Sequence, residues 1–333
     1  MNELELYMNF YNLCDELYEI SPWQFLDEKK LLSYVDKKSN SLYYAVVIGH
    51  EAKVEGVIII NQNDINSYNY YINNIMPNLM LLNYQSGLFI SYLNKEQVSP
   101  SDNVIPKKLN ITFKDKWISV KMYEKGYLPY VPSYEQFENY LEILKNFIVM
   151  LKHFKDDELP KLTNDAMASR FFEKEQNRYH TVIIPKMLPS DRFYTFNLNK
   201  KDAKELKRLE HNNLNIEIEF NNYLPIMIND NYVNGKYLLD YFYIICDHDN
   251  NKVIDYEIVE RNRFETKEEM IMYSLNKLIE YFKKNGMVNS IYVRDNEMKE
   301  LLGVLEKNKL TKIIVSSKLC SIDSFIDMIV RKK

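Results

Sequence analysis

The last hundred residues constrain the fold most, because their apolar periodicity alternates between two and 3.6 residues in a fixed order. YLLDYFYIICD (237–247) and KVIDYEIVE (252–260) read as extended runs around His248-Asp249-Asn250-Asn251, a turn-forming tetrapeptide. Thr266-Lys267-Glu268-Glu269 has capping-box spacing and opens a helix with Ile271, Leu275, Leu278, Ile279 and Phe282 on one face. Asn285-Gly286 ends that helix. SIYVR (290–294), a helix over 296–307, TKIIVS (311–316) and a helix over 322–331 complete the order β-β-α-β-α-β-α. Strands joined through helices lie parallel with right-handed crossovers, so this part is expected to be an α/β domain.

Upstream the pattern changes. Tyr7, Phe10, Tyr11, Cys14, Leu17 and Tyr18 mark a first helix, and Ser21-Pro22-Trp23-Gln24 has the residues to cap and open a second turn. LLSYV (31–35), SLYYAVVIG (41–49) and VEGVIII (54–60) follow as a β-branched, aromatic meander of antiparallel type. Asp64 is expected to cap a helix through Asn74, GLFISYL (87–93) is another strand, and ITFKDKWISVKMYE predicts two short strands or a hairpin. Ser133 opens the clearest helix, with Phe137, Tyr140, Leu141, Leu144, Phe147, Ile148 and Leu151 as one stripe. The polar stretch 155–165 then breaks the chain. HTVIIP (180–185), RFYTFNL (192–198), NIEIEF (215–220) and LPIMI (224–228) are further strands, with a short charged helix at 201–210. The expected organisation is an α+β domain with an antiparallel sheet over 1–154, a linker over 155–176 and an α/β domain over 177–333.

Composition excludes several function classes. Seven scattered glycines cannot build a phosphate-cradling loop, which removes the common nucleotide-binding motifs. The chain has no Cys-x-x-Cys, His-Glu-x-x-His or Gly-x-Ser-x-Gly, so zinc-ribbon, metallopeptidase and α/β-hydrolase chemistry lack their minimum residues. A formal charge of −4 is the wrong sign for a phosphate-tracking clamp. The 27 tyrosines are spread over every predicted element, as AT-rich codon usage would spread them, rather than gathered into one stacking surface. Three distant cysteines, no basic leader and no long apolar run predict a cytoplasmic protein with no membrane association.

One constellation suggests chemistry. Asp247 ends the first strand of the C-terminal hairpin, and Asp295 follows SIYVR, where open α/β sheets gather reactive groups. With Asp323 or Asp327 from the last helix, they have the composition of a Mg²⁺ or Mn²⁺ site for phosphodiester cleavage. This order of elements and acids resembles the RNase H-like superfamily of nucleases, transposases and integrases. The resemblance implies three antiparallel strands before the first helix, the third to come from NIEIEF or LPIMI. The same acids equally suit a tight turn at Asp247 and a helix N-cap at Asp295.

A second set is aromatic: Trp23, and Tyr123, Tyr127 and Tyr130 around Gly126, offer either a groove for a peptide or base or a loop packed on a sheet. Pro22-Trp23-Gln24-Phe25-Leu26, the Tyr123–Tyr130 segment, Leu239-Asp240-Tyr241-Phe242-Tyr243 with Asp247, and Val293-Arg294-Asp295 with Leu301-Leu302 resemble a two-domain bacterial family of unknown function, found in Firmicutes. That resemblance carries fold and no reaction. The expectation is therefore an interaction or scaffold module with a protein partner and no cofactor. The alternatives are a metal-dependent nuclease, for which nucleic acid is the partner, and a small-ligand sensor.

Overall fold

A computed structural model describes the chain except residues 50–53, 66–67, 69–85, 114, 125, 189–196, 222–227, 234–235, 261–262, 265–266 and 332–333. Two compact units are present, the first reaching Ser190 and the second starting at Asp191.

In the first unit, α1 (Glu3–Ile20) starts where the Asn2 side chain accepts the Glu5 amide at 2.9 Å. It stops at Ser21, whose φ of 53° is left-handed and whose hydroxyl donates to the Tyr18 carbonyl at 2.6 Å. Ser21 thus closes the first helix instead of capping the next turn, and Pro22–Gln24 makes one 3-10 turn without a side-chain cap. The remaining elements are β1 (Leu31–Val35), β2 (Leu42–Ile48), β3 (Glu55–Asn61), β4 (Gly87–Leu93), α2 (Val104–Lys108), β5 (Trp117–Tyr123), α3 (Tyr134–Lys155), β6 (Ala166–Glu173) and β7 (Arg178–Pro185). The strands form one sheet in the order β5-β4-β3-β2-β1-β6-β7. All its pairs are antiparallel except β1 with β6.

Two predicted features differ. Residues 155–176, read as a linker, contain β6, and β7 follows it into the same sheet. The polar run breaks α3, but AMASRFFE then supplies the partner that the outer edge of β1 lacks. ITFKDKWISVKMYE gives one strand, β5, because Ile111–Phe113 leave the sheet while Trp117–Tyr123 pair along all of β4.

The capping box at Ser133 forms, and α3 lies with α1 on one face of the sheet. There Phe137 meets Tyr7 and Phe10 edge-on at 5.0 and 4.9 Å. Trp23 and Tyr92 belong to the same core, and the Tyr92 hydroxyl donates to the Cys14 carbonyl at 2.6 Å. The opposite face carries Leu31, Tyr44, Val46, Ile58, Ile60 and Phe89. Alternation along each strand therefore buries both faces. Gly87 sits where φ is +129° and an added Cβ would lie 2.3 Å from the Ile59 carbonyl oxygen.

The second unit contains α4 (Lys200–Leu206), β8 (Asn215–Asn221), β9 (Ile228–Val233), β10 (Lys236–Leu239), β11 (Tyr241–Asp247), β12 (Lys252–Val259), α5 (Lys267–Asn285), β13 (Ser290–Val293), α6 (Asn296–Lys307), β14 (Lys312–Val315) and α7 (Cys320–Arg331). Its main sheet has the order β12-β11-β8-β13-β14. β11 is antiparallel to both of its neighbours, β12 and β8, and β13 and β14 run parallel to β8. The third antiparallel strand is thus NIEIEF. The run 237–247 is two strands rather than one, divided at the buried Asp240, with β10 pairing β9 in a separate ribbon. Most of LPIMI, most of RFYTFNL, most of the helix expected over 64–74, and Thr266 lie outside the described residues.

One face of this sheet presents Ile216, Ile218, Tyr243, Ile245, Ile291 and Val293 to α5 and α6 in a closed apolar core. The Tyr243 hydroxyl is buried there with no hydrogen-bond partner among the described residues. No helix among the described residues is long and apolar enough to cross a membrane.

Gly87→Ala is expected to cost about 2–4 kcal/mol, since it adds a backbone clash to a strained φ. Tyr243→Phe is expected to raise stability by about 1 kcal/mol, because it deletes an unsatisfied buried hydroxyl. Urea unfolding of the two variants against the parent chain measures both.

Candidate functional site

The second face of the five-stranded sheet, under α7, is polar at its centre. Glu217 and Glu219 are alternate residues of β8, so both side chains leave the sheet on the face opposite Ile216 and Ile218. Both are buried, at 0% and 3% exposure. A buried carboxylate is costly unless paired and hydrogen-bonded, and each of these has a different solution.

Glu219 is held by Arg294, which follows β13. The guanidinium Nε and Nη2 donate to Glu219 Oε1 and Oε2, each at 2.9 Å, in a fork-to-fork pair. Nη2 also donates to Asp323 Oδ1 at 2.6 Å, and Nη1 to the Ser317 carbonyl at 3.1 Å. Arg294 itself is 2% exposed. One cation therefore joins β8, β13 and the first turn of α7.

Glu217 is served by a helix terminus. Its Oε2 accepts the Ser321 and Ile322 amides of α7, both at 3.0 Å, where the positive end of the helix dipole favours an anion. Its Oε1 is hydrogen-bonded to His248 Nδ1 at 2.8 Å. The His248 ring lies flat on Tyr292, with centroids 3.9 Å apart and planes at 10°. Ser321 Oγ donates to the Asp247 carbonyl at 3.0 Å, which pins the β11–β12 turn to the same helix start.

The acids singled out from sequence do not share one centre. Asp247 lies opposite Ile216, which is also the partner of Ile291, while Asp295 is four residues beyond Ile291 and two strands away from Asp247. At ~3.3 Å per residue and ~4.8 Å per strand, their Cα atoms are roughly 16 Å apart. That separation rules out one metal site between them, since paired catalytic ions sit about 3.5–4 Å apart. Each does local work instead. Asp247 Oδ1 accepts the Asp249 and Asn250 amides, and Oδ2 accepts the Asn250 side-chain amide. The Asn250 side chain, against a small desolvation cost, and then these backbone amides hold its carboxyl below the usual aspartate range. Asp295 caps α6 by accepting the Met298 amide at 2.8 Å. Asp323 is an Arg294 partner, and Asp327, one turn later on α7, is exposed.

The aromatic set is divided as well. Trp23 is 6% exposed and packs between Tyr18 and Tyr92, at 6.0 and 5.2 Å. Tyr123 lies on the other face of the sheet, its ring 4.0 Å from Phe89. Tyr130 packs on the core that contains Trp23 and donates to Glu124 at 2.7 Å, with Tyr127 edge-on to it at 6.5 Å. Gly126 takes a φ of 85°, so the segment is a turn that folds back onto β5 at Met122. The four rings do not line one groove.

Glu217, Glu219 and Tyr292 carry no motif of their own in the sequence, and His248 and Arg294 stand out there only as parts of a turn and of a family segment. The available signal was NIEIEF itself, in which two acids share one side of a strand with helices expected on both sides of its sheet.

Arg294→Met is expected to cost about 3–5 kcal/mol, because it strands Glu219 in the interior. Arg294→Met combined with Glu219→Leu should recover much of that loss in thermal unfolding. Asp247→Ala should cost less than about 1 kcal/mol near neutrality, as its charge is mostly solvated. Because the folded pKa is depressed, this contribution is present above the unfolded aspartate value and is lost as pH falls through the folded one. Melts of both proteins across that range read the difference.

Comparison with known families gives two matches. The profile described as Domain of unknown function (DUF7309) matches residues 7–174, and that described as Domain of unknown function (DUF6930) matches residues 202–330. No curated protein and no solved structure matches the chain. The first match lies on the unit with the seven-stranded sheet, and the second covers the five-stranded sheet and the ion-pair cluster. With more than half its length in the first match, the chain belongs to the DUF7309 family, and its α/β part matches the DUF6930 domain.

Proposed function

We propose that the chain is a non-catalytic interaction protein whose α/β unit has an RNase H-like order of elements. The antiparallel strands β8, β11 and β12 of the main sheet precede α5, and its last two strands run parallel to β8, in keeping with that resemblance. The observation that carries the non-catalytic reading is the bidentate Arg294–Glu219 pair with Asp323 as its third member. A metal-dependent nuclease needs open carboxylates converging on a cation. Here the carboxylates that converge already hold a guanidinium or a helix terminus. The residues do not fit Mg²⁺ or Mn²⁺, and among the described residues no group of three His, Cys, Asp or Glu side chains is arranged to hold a metal ion. A cytoplasmic setting belongs to the proposal and is supported by Cys14, Cys246 and Cys320 being free thiols.

A nuclease is the second reading, favoured by Glu217, Glu219 and Asp323 facing one side of the sheet. Incubation of the full chain with labelled single-stranded DNA, RNA and an RNA–DNA hybrid in Mn²⁺ separates the two. No cleavage above buffer, and no Mn²⁺ binding heat by calorimetry, is expected. Cleavage that Glu219→Gln abolishes would establish the second reading and remove the first.

A further inference from the structure

One corner of the seven-stranded sheet holds a cation without a counter-charge. Tyr34 of β1, Arg170 of β6 and Thr181 of β7 are register partners, so they form one row across three strands, on the face that carries α3. Arg170 Nε donates to Asn146 Oδ1 of α3 at 2.8 Å, and Nη1 donates to Thr181 Oγ1 at 3.1 Å. The guanidinium lies over the Tyr179 ring, 5.0 Å from its centroid. These bonds use two of the five N–H donors of an arginine, and no carboxylate among the described residues is within ion-pair distance. Nη2 makes neither bond and is open to solvent, because Tyr243 Oη is the one fully enclosed side-chain N or O atom without a partner among the described residues. Glu142 of α3 acts on the guanidinium through its charge, but its Oε1 is bonded to the Asn146 side-chain amide at 3.0 Å. Partial burial is the main cause that lowers the arginine's pKa, so the cation is poorly solvated. A second cation stands beside it. Lys37, in the turn after β1, lies over the Phe172 ring at 3.5 Å from its centroid, and Phe172 packs edge-on to Tyr179 at 5.1 Å. Lys37 is exposed and has no ion pair among the described residues. The Thr181 hydroxyl accepts from Arg170 and donates to nothing among the described residues.

We propose that this corner binds the phosphate group of a small molecule, with Arg170 as the central donor, Thr181 as a hydroxyl donor and Lys37 as the second charge. Nη2 keeps both of its N–H bonds for the ligand, in the fixed plane that suits arginine to phosphate oxygens. The Tyr34 and Tyr179 hydroxyls share a single hydrogen bond at 3.4 Å, so one of their two protons is also uncommitted. A carboxylate would occupy the guanidinium and leave Lys37 and the Thr181 proton unused. A phosphate has the additional oxygens and the second negative charge that these groups call for. All of the donors are side chains on strands and one turn, so the site needs no glycine loop. Arg170, Asn146 and the aromatic rings are fixed by β6, β7 and α3 before any ligand arrives, which keeps the cost of ordering small. The site is in the first unit and does not depend on whether the Arg294 cluster is catalytic.

Titration of the full chain with inorganic phosphate at low ionic strength, followed by phosphorus NMR, tests the proposal. Saturable binding to one site with a roughly millimolar Kd is expected. Arg170→Gln is expected to weaken it by about tenfold or more, and Lys37→Gln, at an exposed position, by about threefold. Glu142→Gln removes the opposing charge, keeps an acceptor for Asn146 and should tighten binding. Because Arg170 also ties α3 to β7, thermal melts check that each variant folds. Should Arg170→Gln not fold, Lys37→Gln and Thr181→Val carry the test, since both leave the guanidinium in place. A parent that shows no saturable phosphate binding overturns the proposal. So does binding that Arg170→Gln leaves unchanged or, where that variant does not fold, binding that both other variants leave unchanged. Acetate, as competitor, tests the ligand class. It should displace phosphate at least about tenfold less effectively than unlabelled sulfate, a tetrahedral dianion. Displacement by acetate as effective as by sulfate would overturn the assignment to phosphate.

Discussion

A single buried guanidinium sets the architecture of the α/β unit. Arg294 fixes the end of β13 to the middle of β8 and both to the start of α7. Neutral hydrogen bonds would link the same elements, but a forked cation also fixes the angle at which they meet. Its neighbour Glu217 completes the arrangement by drawing the α7 amides onto the sheet. The helix is therefore seated by charge at its first turn and by apolar contact further along, where Phe325 stacks on Phe242. Buried ion pairs are weak contributors to net stability, and what Arg294 and Glu217 supply here is geometry, holding the first turn of α7 on the polar face of the sheet.

The first unit is held by different physics. Its long helices α1 and α3 meet through aromatic edges, and its buried tyrosines serve as large apolar residues. Tyr92 is the example, buried at 2% exposure with its hydroxyl on the Cys14 carbonyl. Burial pushes both the Tyr92 hydroxyl and the Cys14 thiol well above their ordinary ranges, so neither is ionised at neutrality. The abundance of tyrosine that stands out in the sequence is thus spent on ordinary core surface.

Periodicity made most elements legible. The helix opened by Ser133, the meander of β1 to β3 and the final α/β succession are local patterns with local caps, and each is read from neighbouring residues. What was illegible is non-local. AMASRFFE alternates poorly, and its identity as a strand comes from β1, which lies 135 residues earlier at the Ser33–Ala168 contact. The cluster was hidden for the same reason. Glu217, Arg294 and His248 are unremarkable one at a time, and only sheet order and the side taken by α7 bring them together. Asp247 and Asp295 were visible because they stand at strand ends, yet strand ends are also where turns and caps need carboxylates.

The parallel β1–β6 pair also bears on how the first unit is made. Every other neighbour of β1 to β5 in the sheet is reached through a connection within the preceding part of the chain. The outer edge of β1, the one away from β2, stays open until β6 has been synthesised, long after the hydrophobic strands beside it. Loop closure over such a span delays the pairing, and an open apolar edge in the interval invites association with other nascent chains. Completion of this unit on the ribosome is therefore gated by its last two strands, and the interval before β6 emerges is when a chaperone would have most to protect.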